Sequence, residues 1–309
     1  MVQPARRSRK VEKMRPIRLQ ETFRAVFYVP FYAAILRGAY AAEGVEVTLL
    51  DGSEPAHAKD SVLQGRAEVA WGGPMRMMLA HDADPDCPLR NFGAAVLGDP
   101  FFLVGRGPRP DFRLRDLAGL RFATVSEVPT PWWALQEDIR QDGLDPESLS
   151  RHTTGTMQQN AEALVAGELD VIQVFEPFVS RLEDQGCQVW HAAASRGPTA
   201  YTTFMSTTAN LREYAPEFRA MLKGLGKTLE WLHATPDAEV AATVKPLFPE
   251  LDVSLIERAI ARYRPLKIWT PTPYFPAEPW EKLEHAMFTA GAIKRKPGWA
   301  HCVDNSLMA

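Results

Sequence analysis

Short apolar runs alternate with amphipathic stretches over the first two thirds of the chain. Ile17–Thr22 reads as a strand, Val29–Ala42 as a helix and Val45–Asp51 as a second strand. Ala56–Gln64 then reads as a helix, Glu68–Trp71 as a buried strand and Pro74–Ala80 as a helix. This βαβαβ rhythm predicts a parallel, right-handed, doubly wound sheet with helices on both faces. Asn91–Leu97 and Phe101–Gly105 read as strands that leave the unit. After Asp116-Leu117-Ala118-Gly119-Leu120 the rhythm restarts, with strands at Arg121–Val125, Arg151–Thr154 and Val171–Phe175. Helices at Pro131–Gln141, Met157–Ala166 and Pro177–Gln185 separate them, and Gln188–Ala193 and Tyr201–Thr207 follow as strands. The remainder is helical and broken by prolines: Glu213–Ala234, Ala238–Val244, Val253–Tyr263 and Ala277–Ala290. Leu222, Leu225, Leu229 and Leu232 recur at helical spacing, a stripe that belongs in a core rather than on a partner surface.

One internal echo sharpens this picture. Leu63-Gln64-Gly65-Arg66-Ala67-Glu68-Val69-Ala70 parallels Val165-Ala166-Gly167-Glu168-Leu169-Asp170-Val171-Ile172. In each copy an amphipathic helix ends at a glycine suited to a left-handed C-cap, an acidic residue follows, and a buried strand begins. Each strand then runs into a proline-started helix, through Gly72-Gly73-Pro74 in one copy and Glu176-Pro177 in the other. Two such units predict two similar lobes. Open α/β sheets bind ligands beyond the carboxyl ends of their strands, so the cleft between the lobes is the expected site.

Composition narrows the class without naming a ligand. The chain has 309 residues, 46% hydrophobic and 24% charged, with a net charge of −3. That balance excludes a disordered chain and a disulfide mini-protein, and gives no support to nucleic-acid binding. No apolar run reaches the ~18 residues of a membrane helix, so the chain is not expected to be membrane-embedded. Residues 1–14 read as a disordered basic lead, with Met14 an alternative start. Arg6-Arg7-Ser8-Arg9-Lys10 is not followed by the apolar core of ~7–15 residues that a secretion signal needs. A cytoplasmic location is expected, or a periplasmic one if the start lies elsewhere. Cys87, Cys187 and Cys302 are an odd count without metal-ligand spacing, and the seven histidines are scattered; no metal and no cofactor is expected.

The strand-to-helix turns supply the candidate ligand-binding residues. Phe23, Arg24, Phe27 and Tyr28 lie in the loop after the first strand. The rings either stack on a flat ligand or pack in the core, and Arg24 is either a contact or a solvated charge. Gly72 and Gly73 allow close backbone approach at a helix N-terminus that favours an anion. Arg76, in the first turn of that helix, offers a fork of donors to a carboxylate or sulfonate, unless Asp99 is its partner instead. In the second lobe Thr130, Gly155 and Thr156 occupy the matching turns, with Thr156 either a helix cap or a donor. Glu176 either faces the cleft or pairs with Arg24 or Arg76. Tyr201 marks the return crossing.

At these residues the chain resembles the NMT1/THI5-like and aliphatic-sulfonate-binding family, of the type II periplasmic-binding-protein fold. The marks are Val29-Pro30-Phe31-Tyr32-Ala33-Ala34, Arg37-Gly38-Ala39-Tyr40-Ala41-Ala42-Glu43-Gly44-Val45, Gly65-Arg66-Ala67-Glu68-Val69 and Ala166-Gly167-Glu168-Leu169-Asp170-Val171. The resemblance implies a discontinuous first lobe, 15–105 plus 201–309, around a second lobe, 106–200. It implies a small-molecule (solute) binding protein of the ABC-transporter type, with a small-molecule ligand and a transporter permease as partners. The family also contains enzymes, which leaves a cofactor-independent lyase, decarboxylase or desulfinase as the alternative, or a hydrolase of a small organic acid. Where the thiamine-pyrimidine synthase carries a lysine and a histidine, this chain has Gly72 and Arg76, and Thr199–Thr208 holds no cysteine. Where the desulfinase has its cysteine and arginine, this chain has Phe27 and Ala70. Neither catalytic set is retained.

Overall fold

The structure is a computed structural model that describes residues 14–52 and 57–308. The basic lead read in residues 1–14 therefore lies, Met14 apart, outside the described residues. Ten strands build two five-stranded sheets. β1 (Ile17–Gln20), β2 (Val47–Leu50), β3 (Val69–Gly72), β4 (Leu89–Val96) and β10 (Thr202–Thr207) form the first, in the order β2-β1-β3-β10-β4. β5 (Phe102–Arg106), β6 (Phe122–Ala123), β7 (Arg151–His152), β8 (Val171–Val174) and β9 (Cys187–Ala192) form the second, in the order β7-β6-β8-β5-β9. The two orders are the same pattern repeated, one per lobe.

Three neighbouring strands in each sheet pair in parallel, as the βαβαβ rhythm predicts, but one strand of each sheet runs against the other four. β10 runs antiparallel to β3 and β4, and β5 antiparallel to β8 and β9. Each antiparallel strand is the first element after the chain crosses from the other lobe, so it enters its new sheet from the hinge side. The first crossing is therefore residues 97–101, before β5, rather than near Gly105 as expected. Gly105 lies inside β5, paired with Val171 and Gln188. The predicted helix Val29–Ala42 is two helices, Val29–Leu36 and Ala39–Ala42, because Gly38 takes φ 67° between them. That left-handed conformation carries no Cβ penalty at glycine.

The echoing acids hold the sheet edges. Glu68 accepts the Arg18 backbone N–H at 2.7 Å and the Arg18 guanidinium at 2.6 Å. Asp170 does the same for Arg121, at 2.9 and 2.6 Å. Each acid thus ties the strand that follows it to the first parallel strand of its own sheet. The leucine stripe is core: Leu222, Leu225, Leu229 and Leu232 are all buried.

The C-terminal helices are not confined to the first lobe. Helix Val253–Tyr263 buries Ile256, Ala259, Ile260 and Tyr263 on one face and sends Arg258 and Arg262 to the second lobe. Helix Ala277–Thr289 packs on helix Thr130–Gln141, where Arg140 reaches Thr289 Oγ1 at 3.5 Å. Both helices bridge the lobes. Among the described residues no helix is long and apolar enough to cross a membrane.

Candidate ligand cleft

The carboxyl ends of β1, β3, β6 and β8 meet between the lobes. The cavity there is lined by Phe23, Phe27, Tyr28, Gly73, Arg76 and Thr130, with Phe101 and Tyr201 from the two crossings. Of the residues predicted from sequence, the structure brings together Phe23, Phe27, Tyr28, Gly73, Arg76, Thr130 and Tyr201. Two helix N-termini border the cavity: Met75–Ala83, with Arg76 in its first turn, and Thr130–Gln141, starting at Thr130. Both present the positive end of a helix dipole to the same space.

The polar groups of this cavity are under-partnered. Among the described residues Arg76 has no ion pair and no side-chain hydrogen bond. Its guanidinium is largely buried, and that desolvation pulls its pKa below the usual arginine value. The Tyr201 hydroxyl is buried and has no partner among the described residues. Burial holds the Tyr201 pKa well above the usual tyrosine value, so the group remains a neutral donor. Tyr28 is satisfied, its hydroxyl 3.1 Å from Thr22 Oγ1. An uncompensated cation and a free hydroxyl, facing the N-termini of two helices, form a positive, donor-rich pocket.

The cavity is also nearly full. It encloses about 30 Å³, room for a water or two. The space is taken by the protein's own rings. Phe175, at the end of β8, comes from the second lobe to lie 5.3 Å from Phe27 and 5.1 Å from Phe101, edge to face in both cases. It also stacks on Phe23 at 6.2 Å with 25° between the planes. Sequence reasoning missed Phe175 because it reads as the last residue of a buried strand. Its position one residue before Glu176-Pro177 was the available signal.

The other candidates lie elsewhere. Arg24 is held by Glu21, with Nε 3.2 Å from both carboxylate oxygens, and donates to the Leu247 carbonyl at 2.7 Å; its charge is spent on the loop. Asp99 is buried in the first crossing, where it pairs with Arg196 of the second crossing rather than with Arg76. Glu176 is fully buried, but its carboxylate accepts from Arg262 at 2.6 Å and from the Ser180 hydroxyl at 2.8 Å, not from Arg24 or Arg76. Thr156 caps its helix, accepting the Gln159 N–H at 3.2 Å. Gly155 is packed against Asn160 outside the cavity. Gly72 lies within β3, opposite Thr203, and the Arg76 N–H is donated to the Gly73 carbonyl at 3.1 Å. The backbone of this turn is thus less free to meet a ligand than its glycines suggest.

The architecture has known counterparts. The family model described as "NMT1/THI5 like" matches residues 27–239, from the cleft loop through β10 and into the helices that follow. The chain belongs to the NMT1/THI5-like family. A Bacillus subtilis (strain 168) relative named "Putative binding protein YtlA" is 24% identical over 294 residues, covering 92% of this chain and 86% of the relative. Among solved structures, the periplasmic aliphatic sulphonate binding protein SsuA from Escherichia coli matches at TM-score 0.77 with 14% identity, over 94% of this chain and 98% of that one. The desulfurization enzyme DSZB matches at TM-score 0.71 with 14% identity, over 94% and 97%. At such identities the structural likeness establishes the shared fold, which in this NMT1/THI5-like chain is two lobes with a cleft between them. Among the described residues no cluster of three or more His, Cys, Asp or Glu side chains is arranged to hold a metal ion.

Proposed function

We propose that this chain is a solute-binding protein of the kind that serves ABC importers, and that it holds a small ring-bearing organic anion in the interlobe cleft. The observation that carries the reading is Arg76, a largely buried guanidinium without a partner among the described residues, in the same cavity as a Tyr201 hydroxyl that likewise has none among them. A buried charge is normally paired, and a ligand anion would complete this one with a forked, charge-assisted contact. The Phe23, Phe27 and Phe101 rings of the lining suit a flat apolar body. The lining offers arginine, threonine and tyrosine but no thiol, imidazole, amine or carboxylate. That favours holding a ligand over the alternative of lyase or decarboxylase chemistry, which needs a group that titrates near the working pH.

Sulfonates are the first anions to try, since the neighbour from Xanthomonas axonopodis pv. citri is an alkanesulfonate-binding protein bound to MOPS. Calorimetry with benzenesulfonate, benzoate and an alkanesulfonate should find at least one that binds. Arg76→Ala should weaken that binding tenfold or more, about 1.4 kcal/mol, and Gly73→Val should abolish it by projecting methyls into the cavity. Unchanged affinity in both folded variants would place the site elsewhere. The reading carries a transporter permease as partner. Fractionation of cells tests the cytoplasmic location expected from the sequence against the export that delivery to a permease requires.

A further inference from the structure

The largest cavities need not be the ones between the lobes. Behind the two crossings lies one of about 600 Å³, against about 30 Å³ for the cleft. Its walls are the hinge itself: Leu97 and Gly98 of the first crossing, Ala194 of the segment leading into the second, and the strand-like segment around Trp269. That third segment is hydrogen-bonded to the first crossing, the Ile268 carbonyl accepting from Leu97 N at 2.9 Å and Gly98 N at 3.1 Å. The lining is mainly aliphatic side chains and prolines, and its size is that of small-molecule sites generally. One charge stands exposed at its rim without an ion pair among the described residues. Glu278 is paired with Lys282 at 3.0 Å, and His233 Nε2 is engaged by the Thr270 carbonyl at 3.0 Å. Lys267 has no partner among the described residues. It is also the one non-glycine residue among them with positive φ, 52°, so the chain keeps a lysine at this rim where glycine would fit more easily.

Trp269 connects this cavity to the cleft. Its indole N–H donates to the Phe27 carbonyl at 2.9 Å, and Phe27 is a cleft wall. Its ring meets Tyr263 edge to face at 5.9 Å, and the Tyr263 hydroxyl accepts the Glu176 N–H at 3.0 Å, next to Phe175. One side chain therefore touches the back cavity and, through single contacts, both lobes of the cleft.

We propose that the cavity behind the hinge is a second ligand site, for a compact aliphatic carboxylate whose head group pairs with Lys267, and that occupancy there is transmitted through Trp269 to the cleft. Coupling between two sites requires an element that both ligands bias, and the hinge is that element. The site stands whether or not the cleft takes an anion.

The test uses the full chain and adamantane-1-carboxylate, whose cage is too round to lie between the flat rings of the cleft. Calorimetry should give one equivalent bound. Lys267→Glu and the cavity-filling Ala194→Phe should each weaken it at least tenfold, while Arg76→Ala leaves it within twofold. Hydrogen exchange at residues 25–28 should change on binding, and Trp269→Phe should bind equally but lose that change. No binding at millimolar probe overturns the site, as does binding that falls with Arg76→Ala and ignores Lys267→Glu; Lys267 is exposed, so that variant keeps the test decisive should Ala194→Phe fail to fold. Binding with the predicted variant pattern but no exchange change at 25–28 overturns the coupling.

Discussion

Replacing Arg76 by methionine should make the unliganded protein more stable and the ligand useless to it. The guanidinium lines a small cavity with its charge uncompensated among the described residues, and burial lowers its pKa. A buried polar group left unsatisfied costs about 1–3 kcal/mol, and a charge more. The guanidinium is largely but not fully buried, so the lower part of that range applies, about 1–2 kcal/mol. Methionine keeps the length and apolar contacts of the stem and removes the charge. At roughly 2–4 °C per kcal/mol, and less for a chain this long, the melting temperature should rise by about 2–5 °C. A cleft ligand at 100 times its dissociation constant stabilises the wild type by about 2.7 kcal/mol. The variant should lose most of that gain. Scanning calorimetry of both proteins, with and without the best ligand from the anion panel, reads all four states. An Arg76→Met protein that melts lower than wild type without ligand would mean that the guanidinium is already compensated, and the argument for a ligand anion would collapse. Stability traded against binding in this way is the usual mark of a functional site.

Three further outcomes follow from the same geometry. Arg262→Met should destabilise the fold by about 3 kcal/mol, because it leaves the fully buried Glu176 carboxylate without its cation, and Glu176→Gln in the same chain should recover much of the loss; denaturant titration of the two single variants and the double variant decides it, and additive losses would refute the pairing. The Arg121 guanidinium holds the Asp170 carboxyl well below the usual carboxylate range. Its folded pKa is depressed, so the stability it adds is present above the unfolded value near 4 and is lost progressively as the pH falls from there through the lower folded value. Asp170→Asn should therefore cost about 1 kcal/mol at pH 7, with the gap narrowing steadily below pH 4, and a gap that stays constant or widens down to pH 2 would contradict that sign. Phe175→Ala should open the cleft, so that naphthalene-2-sulfonate gains affinity relative to benzenesulfonate; an unchanged ratio in calorimetry would show that the ring does not limit the space.

The strands and helices were readable from sequence because each follows a local rule: apolar period, glycine stop, proline start. The helix Val253–Tyr263 and the capping role open to Thr156 are local in that sense. So was the echo of Glu68 and Asp170, although the purpose of those acids was not, since their partners Arg18 and Arg121 lie 50 and 49 residues away. The misplaced site residues share one cause. Glu176 was open to the cleft or to a pair with Arg24 or Arg76, Asp99 to a pair with Arg76, and Arg24 to a ligand contact or a solvated charge, while their charges are met by Arg262, Arg196 and Glu21. Two of those three partners are 86 and 97 residues distant, and single-sequence reasoning has no term for them. The crossing before β5 was missed for a related reason: residues 97–101 look the same in sequence whether the next strand pairs with β4 or with β8.

The corrected role of Glu176 changes how the cleft works. Its carboxylate and N–H are fixed to Arg262 and to the Tyr263 hydroxyl on a helix that bridges the lobes. The next residue back, Phe175, is thereby held where it fills the space between Phe23, Phe27 and Phe101. A ring-bearing ligand must take over contacts this side chain already makes. On the proposed reading it gains only the difference between its own stacking and that of Phe175, so little of the affinity comes from apolar burial and the charge on Arg76 supplies most of it. If closure over an empty cleft leaves the competent state a minor fraction of the population, the apparent dissociation constant rises in inverse proportion to that fraction. Selectivity then follows from the same competition. An anion without a ring leaves Phe175 in place and collects only the Arg76 contact, while a ring without an anion displaces Phe175 for no electrostatic return. Only a ligand with both features recovers on each side what the empty cleft already satisfies for itself.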